Sequence, residues 1–424
     1  MHSSKKESQP LRESKKTQRP TVLFGRDRPR PVSSTTPGKA VLTRPLVLLM
    51  AVASGATVAN LYYAQPLLEE LSRYFHVSQS GIGVAAMLIQ AGYALGLLVL
   101  VPLGDIRERR SLIITILLCS IAALLLISFS TTIGLFLFSS LLLGTASIVP
   151  QLLVPFAAQL ALPHERGKAI GNVMSGLLIG ILLSRTLSGT VGSVLGWQAV
   201  YRLAAVMIAL LTISFSFILP RSHAGSAMPY GRLMLSLGRL FRSEPVLRQS
   251  ALIGASMFAA FSAFWTTLSF LLKSPVYNLG AQAAGLFGLV GVAGALTASI
   301  TGRITDRVSP RFTLSIAIAL AGLAYVVFWV AGYSMVGLVA GVIVLDIGAQ
   351  SGHISNQARI YALDPAARNR INAVYMVTSF AGGAIGSVLA SYSWGIYGWH
   401  GVCAVGLIFL TIAGIIHASG IRRE

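Results

Sequence analysis

From Arg44 onward the chain alternates long apolar runs with short clusters of charged, Gly and Pro residues. Each run holds about 20 residues, the length a helix needs to cross roughly 30 Å of hydrocarbon. Twelve are read, at 45–66, 81–103, 111–130, 132–157, 169–190, 200–219, 250–272, 283–302, 312–331, 335–358, 371–392 and 399–418. The pattern predicts an all-α polytopic membrane protein. A thirteenth segment differs in kind. Within 220–249, Arg232, Ser236, Arg239 and Ser243 share one helical face while Leu233, Leu237 and Leu240 line another. That periodicity predicts an amphipathic helix lying on the cytoplasmic membrane surface.

The runs also repeat. "PHERGKAIGNVMSGLLIG" (163–180) reads against "PAARNRINAVYMVTSFAGG" (365–383), and "LGDIRERR" (103–110) against "ITDRVSPR" (304–311). Two six-helix halves therefore follow one another in the same orientation. Parallel repeats of this kind place a solute site at mid-membrane between the halves. The expected organisation is a disordered basic cytoplasmic tail at 1–44, an N-terminal bundle at 45–219, a cytoplasmic amphipathic linker at 220–249, a C-terminal bundle at 250–418 and a short tail at 419–424.

Composition agrees: 54% of the 424 residues are hydrophobic and 11% charged, less than half the share usual in soluble domains. The formal charge of +20 suggests nucleic acid until its placement is considered. Eleven of the 33 Lys and Arg lie in the first 44 residues, and nearly all the others lie in short loops. With both termini cytoplasmic, only Arg73, Arg185, Arg202 and Lys273 depart from the positive-inside rule. The basic excess thus reads as topology and attraction to anionic lipid, with no nucleic-acid partner.

Polar groups inside the runs carry the candidate chemistry. In "LDIGAQSGHISNQARI" (345–360), Asp346, Gln350, His353 and Gln357 form a column on one helix face. A charge at the bilayer centre costs at least about 2.5–3.5 kcal/mol unless it faces protein or water, so the column should line a cavity. Arg185 lies about 24 Å from the start of the fifth run and Asp346 about 20 Å from the end of the tenth, at roughly 1.5 Å per residue. The two are expected at similar heights in opposite halves, where they pair in one conformation. Making and breaking that pair would take up and release a proton, and His353 is a further candidate; a static pair fixing two helices is the alternative. Candidate solute contacts are Asn60, Tyr63, Gln65, Gln90, Tyr93, Gln151, Trp265, Gln350, Asn356 and Gln357, few polar groups in an apolar setting. The alternative for Tyr63 and Trp265 is anchoring at the membrane interface, and Asn356 and Gln357 can equally cap the end of their helix. No cofactor or metal is implied. Only His353 of seven histidines lies well inside a run, which argues against an enzyme. No Gly-x-x-x-x-Gly-Lys-Ser/Thr loop is present to bind ATP.

The motifs resemble the major facilitator superfamily over nearly the whole chain after residue 44. The family's Gly-x-x-x-Asp-Arg-x-Gly-Arg-Arg loop is matched in part by Asp105, Arg109 and Arg110, with Val101, Ile106 and Glu108 departing, and by Gly302, Asp306, Arg307 and Arg311 in the second copy. The resemblance assigns gating to Asp105, Arg109, Arg110, Asp306 and Arg307, where a carboxylate can meet a helix N-terminus and arginines can meet carboxylates or lipid phosphates. "NLYYAQPLLEEL" (60–71), "GILLSRTLSG" (180–189) and the 345–376 stretch look like bacterial drug/proton antiporter-like members. Arg185 stands where their pattern has proline, and Ser140 where many carry an arginine. The resemblance implies two pseudo-symmetric six-helix bundles in the inner membrane, a monomer, and proton-coupled efflux of a small organic solute. Facilitated uniport or proton-coupled uptake is the alternative, and a non-transporting sensor a remote one.

Overall fold

A Ser, Thr or Glu side chain precedes several of the apolar runs, and these residues fix where the helices begin. Ser78 accepts a hydrogen bond from Gly81 N at 3.0 Å, Ser309 from Phe312 N at 3.1 Å and Glu108 from Ser111 N at 3.3 Å. Each satisfies an amide that the first helical turn leaves open. The computed structural model describes residues 42–162, 164–221, 229–291, 309–364 and 367–421. Every regular element among them is helical.

The first half comprises α1 (Arg44–Ala59), α2 (Leu68–Tyr74), α3 (Gln79–Val99), α4 (Arg109–Ser128), α5 (Ile133–Ala146), α6 (Val149–Leu160), α7 (Arg166–Leu195) and α8 (Trp197–Ile218). The linker helix is α9 (Tyr230–Ser243). The second half comprises α10 (Pro245–Lys273), α11 (Ala281–Val290), α12 (Pro310–Ala331), α13 (Met335–Tyr361) and α14 (Arg368–Ile421). Nine described helical segments are long and apolar enough to cross a bilayer, while Arg44–Ala59 and Ala281–Val290 are shorter apolar helices.

Three boundaries differ from the apolar pattern for identifiable reasons. The run at 45–66 stops being α-helical after Ala59, and a 3-10 turn at Gln65–Leu67 begins just before Pro66, which has no amide to give. The run at 132–157 is interrupted at 147–148, ahead of Pro150. In the opposite sense, α14 holds 54 residues, which at 1.5 Å each would extend about 80 Å. Gly398, at φ 58° and ψ −145°, breaks it into the two arms read from the sequence. Only glycine adopts that backbone without strain.

One buried apolar core gathers residues from Leu46 to Leu219, together with Phe270 and Phe380; a second gathers residues from Ile253 to Ala413. Because lipid tails are as apolar as leucine, close backbone approach does much of the work of helix association. In the first half it is concentrated where α1 crosses α7. A Cβ on Gly176 would lie 2.8 Å from Ala51 Cα, and one on Gly180 would meet the backbone of Gly55. Gly176→Val is therefore expected to force α7 off α1 at a cost of about 1–3 kcal/mol. A lower thermal-unfolding midpoint in detergent would register it, and an unchanged midpoint would refute the crossing.

The amphipathic helix forms within the linker, but its apolar face meets protein rather than lipid. Leu233 and Leu237 are buried. Leu237, with Met234, Leu240 and Phe241, packs on Leu247 of α10, Ile360 of α13 and Ile371 of α14. Those helix ends present an apolar surface that an isolated periodicity cannot reveal. At its start, Tyr230 Oη donates to the Val99 carbonyl at the end of α3, 2.9 Å away.

Candidate functional site

Polar groups of the two halves meet along a seam, and α3 supplies one side of it. Ser80, Gly83 and Gln90 of α3 face Ser391, Ser387 and Gly383 of α14, each set spaced to share one helix face. Ser80 Oγ donates to the Ser391 carbonyl at 3.0 Å. Gln90 Nε2 donates to Ser387 Oγ at 2.7 Å, and its carbonyl oxygen accepts from Ser262 Oγ of α10 at 3.0 Å. Thr266 Oγ1 donates to Ser387 Oγ at 3.0 Å. At the end of the seam remote from Arg44 and Ile421, Gln79 accepts from Trp394 Nε1 at 2.5 Å and donates to Glu69 at 2.6 Å. Hydrogen bonds of this kind, made where no water competes, fix the register of two surfaces more than they add raw stability.

The second contact line joins α7 to α11. Thr186 Oγ1 donates to the Gly285 carbonyl at 3.0 Å. A Cβ on Gly189 would lie 2.9 Å from Gly285 Cα and 3.1 Å from its nitrogen. Glycine on both helices permits this approach.

Arg185 sits beside that line, 3% exposed. Its guanidinium lies against two rings, 4.4 Å from the Tyr62 centroid and 4.1 Å from the Trp265 centroid. Nε donates to Gln65 Oε1 at 2.7 Å, while Nη2 is buried with no hydrogen-bond partner. Tyr62, Gln65 and Arg185 come from the first half and Trp265 from the second. The rings replace part of the hydration that a buried guanidinium loses. Gln65, Pro66, Arg185, Trp265, Leu268, Ser269 and Ala284 line a cleft too narrow to seat a water molecule.

Asp346, on α13, is 5% exposed and lies within electrostatic reach of Arg185 and the Trp265 indole. No ion pair of 4.0 Å or less joins it to Arg185. Its Oδ1 is buried without a hydrogen-bond partner, and Oδ2 lies against Gly291, where a Cβ would approach to 2.5 Å. The carboxylate therefore faces protein. The two buried charges are neighbours across the seam that do not touch.

The remaining candidates are dispersed. Trp265 and Gln65 surround Arg185, and Gln90 ties three helices together, as described. Tyr93 Oη accepts from Gln151 Nε2 at 3.3 Å, and its ring packs on Phe380 of the other half at 4.4 Å. His353 Nδ1 is in hydrogen-bonding contact with Tyr375 Oη at 3.2 Å. Gln350 and Gln357 are half-buried, and Asn356 is fully buried. Asn60 turns away from the seam into its own half, where its Nδ2 donates to Ser120 Oγ of α4 at 3.2 Å. Tyr63 also faces inward within that half, edge-on to Tyr201 at 6.5 Å.

Of the gating candidates, Arg109 donates from Nε to the Gly104 carbonyl at 3.1 Å and from Nη1 to Gln159 at 2.7 Å. Arg110 donates to the Ser216 carbonyl. Asp105 belongs to the 3-10 turn Pro102–Asp105. Asp306 and Arg307 lie outside the described residues. Sequence reasoning did not count Tyr62 among the candidate solute contacts and did not single out Ser262, Thr266, Ser387 or Ser391. The four-residue spacing of Gly383, Ser387 and Ser391 is the signal that could have marked the last two.

Apolar spanning helices in two packed halves, hydrogen-bonding side chains gathered along the seam and a buried charge on each side make the arrangement of a membrane transporter. No group of three or more His, Cys, Asp or Glu side chains among the described residues is placed to hold a metal. The chain belongs to the major facilitator superfamily: the family model of that description matches residues 47–361. It is 40% identical over 383 residues to the "Putative uncharacterized transporter YgaY" of Escherichia coli (strain K12), covering 90% of this chain and 97% of that one. It is 34% identical over 365 residues to the "Probable transporter SCO4007" of Streptomyces coelicolor, covering 86% and 85%. The fold is shared with a bacterial homolog of the human lysosomal transporter Spinster in an inward-facing, unoccupied conformation, at a TM-score of 0.69 and 13% identity, covering 88% of this chain and 95% of that one. It is shared equally with the nucleoside transporter NupG, at a TM-score of 0.69 and 14% identity, covering 89% and 99%.

Proposed function

We propose that this transporter exports a small organic solute across the inner membrane in exchange for protons, by alternating access, with both termini cytoplasmic. One observation carries the reading: Arg185 and Asp346, buried on opposite halves, lie near each other without an ion pair. Such a pair is poised. Motion that brings the guanidinium onto the carboxylate favours the ionised acid, and motion that withdraws it favours the protonated one. A proton is then carried with each cycle, and the solute shifts the equilibrium by binding one state more tightly than the other.

The contacts between halves support this arrangement. They run from the end remote from Arg44 and Ile421 to mid-depth, as expected of a state sealed on the outer side. Asp105, Arg109 and Arg110 would then hold the opposite face when it closes, with Asp306 and Arg307 their counterparts. Gln90, Tyr93 and Gln151 along the seam, with Gln350 on α13, are groups that the solute would meet, and the working unit is the monomer.

Transport in everted vesicles tests the reading. With an imposed pH gradient, the protein should accumulate solute, and a protonophore should abolish accumulation. A uniporter would only equilibrate solute and would be indifferent to the protonophore, which would overturn the coupling.

A further inference from the structure

A groove on the first half lies apart from the residues that join the two halves. It runs between α1 and α7, has a volume of about 840 Å³, and every residue lining it belongs to the first half. Along most of its length it is apolar: Leu48, Val52, Ile179, Leu183, Leu187 and Met207 line it, and all six are exposed. In a helix bundle that crosses a bilayer, an exposed apolar trough opens toward acyl chains. Its floor is the crossing of α1 on α7, where Gly55, Gly176 and Gly180 leave no side chains to fill it.

The charged lining is not spread evenly, while Asn172, Ser175 and Ser184 add neutral polar groups along α7. Arg44, Glu165 and Lys168 cluster at the end where α1 and α7 both begin, and all three are exposed. Neither helix has an acidic residue in its first turn. Two helix N-termini, each with positive partial charge, thus converge beside two cationic side chains and one anionic one. The balance at this mouth favours an anion, and the trough behind it favours hydrocarbon.

We propose that this groove is a phospholipid site, holding one acyl chain along Leu48, Val52, Ile179 and Leu183 with an anionic headgroup at Arg44 and Lys168. Glu165 sets the limit of the preference by partly opposing the two cations. The trough is inside the roughly 300–1,000 Å³ range of small-molecule sites, large enough to seat a chain rather than graze it. A bound chain would brace the glycine crossing on its open side.

Native mass spectrometry of the full-length protein, delipidated in a nonionic detergent, tests the assignment. Phosphatidylglycerol should bind with a Kd at least about tenfold below that of phosphatidylcholine, the order expected of two juxtamembrane cations. Arg44→Ala combined with Lys168→Ala should erase that difference while leaving the melting midpoint of the lipid-free protein unchanged. Leu183→Trp, which fills the trough from an exposed position, should weaken both lipids by about tenfold. Equal affinity for the two lipids in the wild type would overturn the proposal. So would a preference that survives the double substitution, since other basic residues would then hold the headgroup. Competition by glycerol 3-phosphate as effective as by intact lipid would also overturn it, because the trough would then contribute nothing.

Discussion

Asp346→Asn is expected to abolish accumulation driven by a pH gradient while leaving the protein at least as stable as the wild type. Asparagine keeps the shape of the side chain and removes the group that ionises. In the structure the carboxyl is 5% exposed, with one oxygen unpartnered, so an ionised Asp346 carries a desolvation penalty of several kcal/mol in this state. Attraction to Arg185 offsets part of it, but no contact of 4.0 Å or less exists to make that offset large. Removing the charge therefore relieves more than it costs. The measurements are solute uptake into everted vesicles and the unfolding midpoint in detergent. Lost uptake with an unchanged or raised midpoint supports a coupling role. Retained uptake would sink it, and a midpoint lowered in step with lost uptake would show a structural anchor instead.

The second large effect is expected at Gly189. A leucine there places its Cβ 2.9 Å from Gly285 Cα, with the Ala281 carbonyl oxygen nearer still. Both neighbours are backbone, so no rotamer change relieves the overlap, and α7 and α11 must separate. Because each half has its own apolar core, both halves should still fold. The sealed arrangement is what is lost. We expect Gly189→Leu to reduce transport at least about tenfold, which corresponds to a loss of about 1.4 kcal/mol in the closed state. A single cysteine at Thr186 should at the same time become more reactive to a thiol reagent added from outside. Gly322→Leu, where a Cβ meets nothing within 4 Å, serves as the control. Equal transport in the two variants would mean that the α7–α11 contact does not take part in the cycle.

Much of the fold was readable because spanning helices must be apolar over a length fixed by the bilayer. The bend at Gly398 falls between two runs that the pattern already separates. Pro66 and Pro150 mark breaks in runs whose hydrophobicity continues across them, so composition alone joined what backbone chemistry divides. For the site, rise per residue placed Arg185 and Asp346 at one depth, and the structure has them as neighbours. Helix rotation was harder to read. Asn60 is as polar as Gln65 and five residues away, yet one meets Ser120 inside its own half and the other meets Arg185. Nothing local distinguishes them, because the choice depends on which neighbour each face meets. The same holds for α9, whose leucine stripe suits lipid or protein equally well.

The guanidinium of Arg185 lies against a ring from each half, 4.4 Å from Tyr62 and 4.1 Å from Trp265. When the halves part on the sealed side, either Tyr62 or Trp265 must be peeled away, at a cost of about 0.5–2 kcal/mol. Under the proposed alternating-access cycle, this feature alone would bias the carrier toward the sealed form by roughly two- to thirty-fold. A cargo with a flat, electron-rich surface could take the departing ring's place and erase that bias, so recognition and release of the lock would be one event.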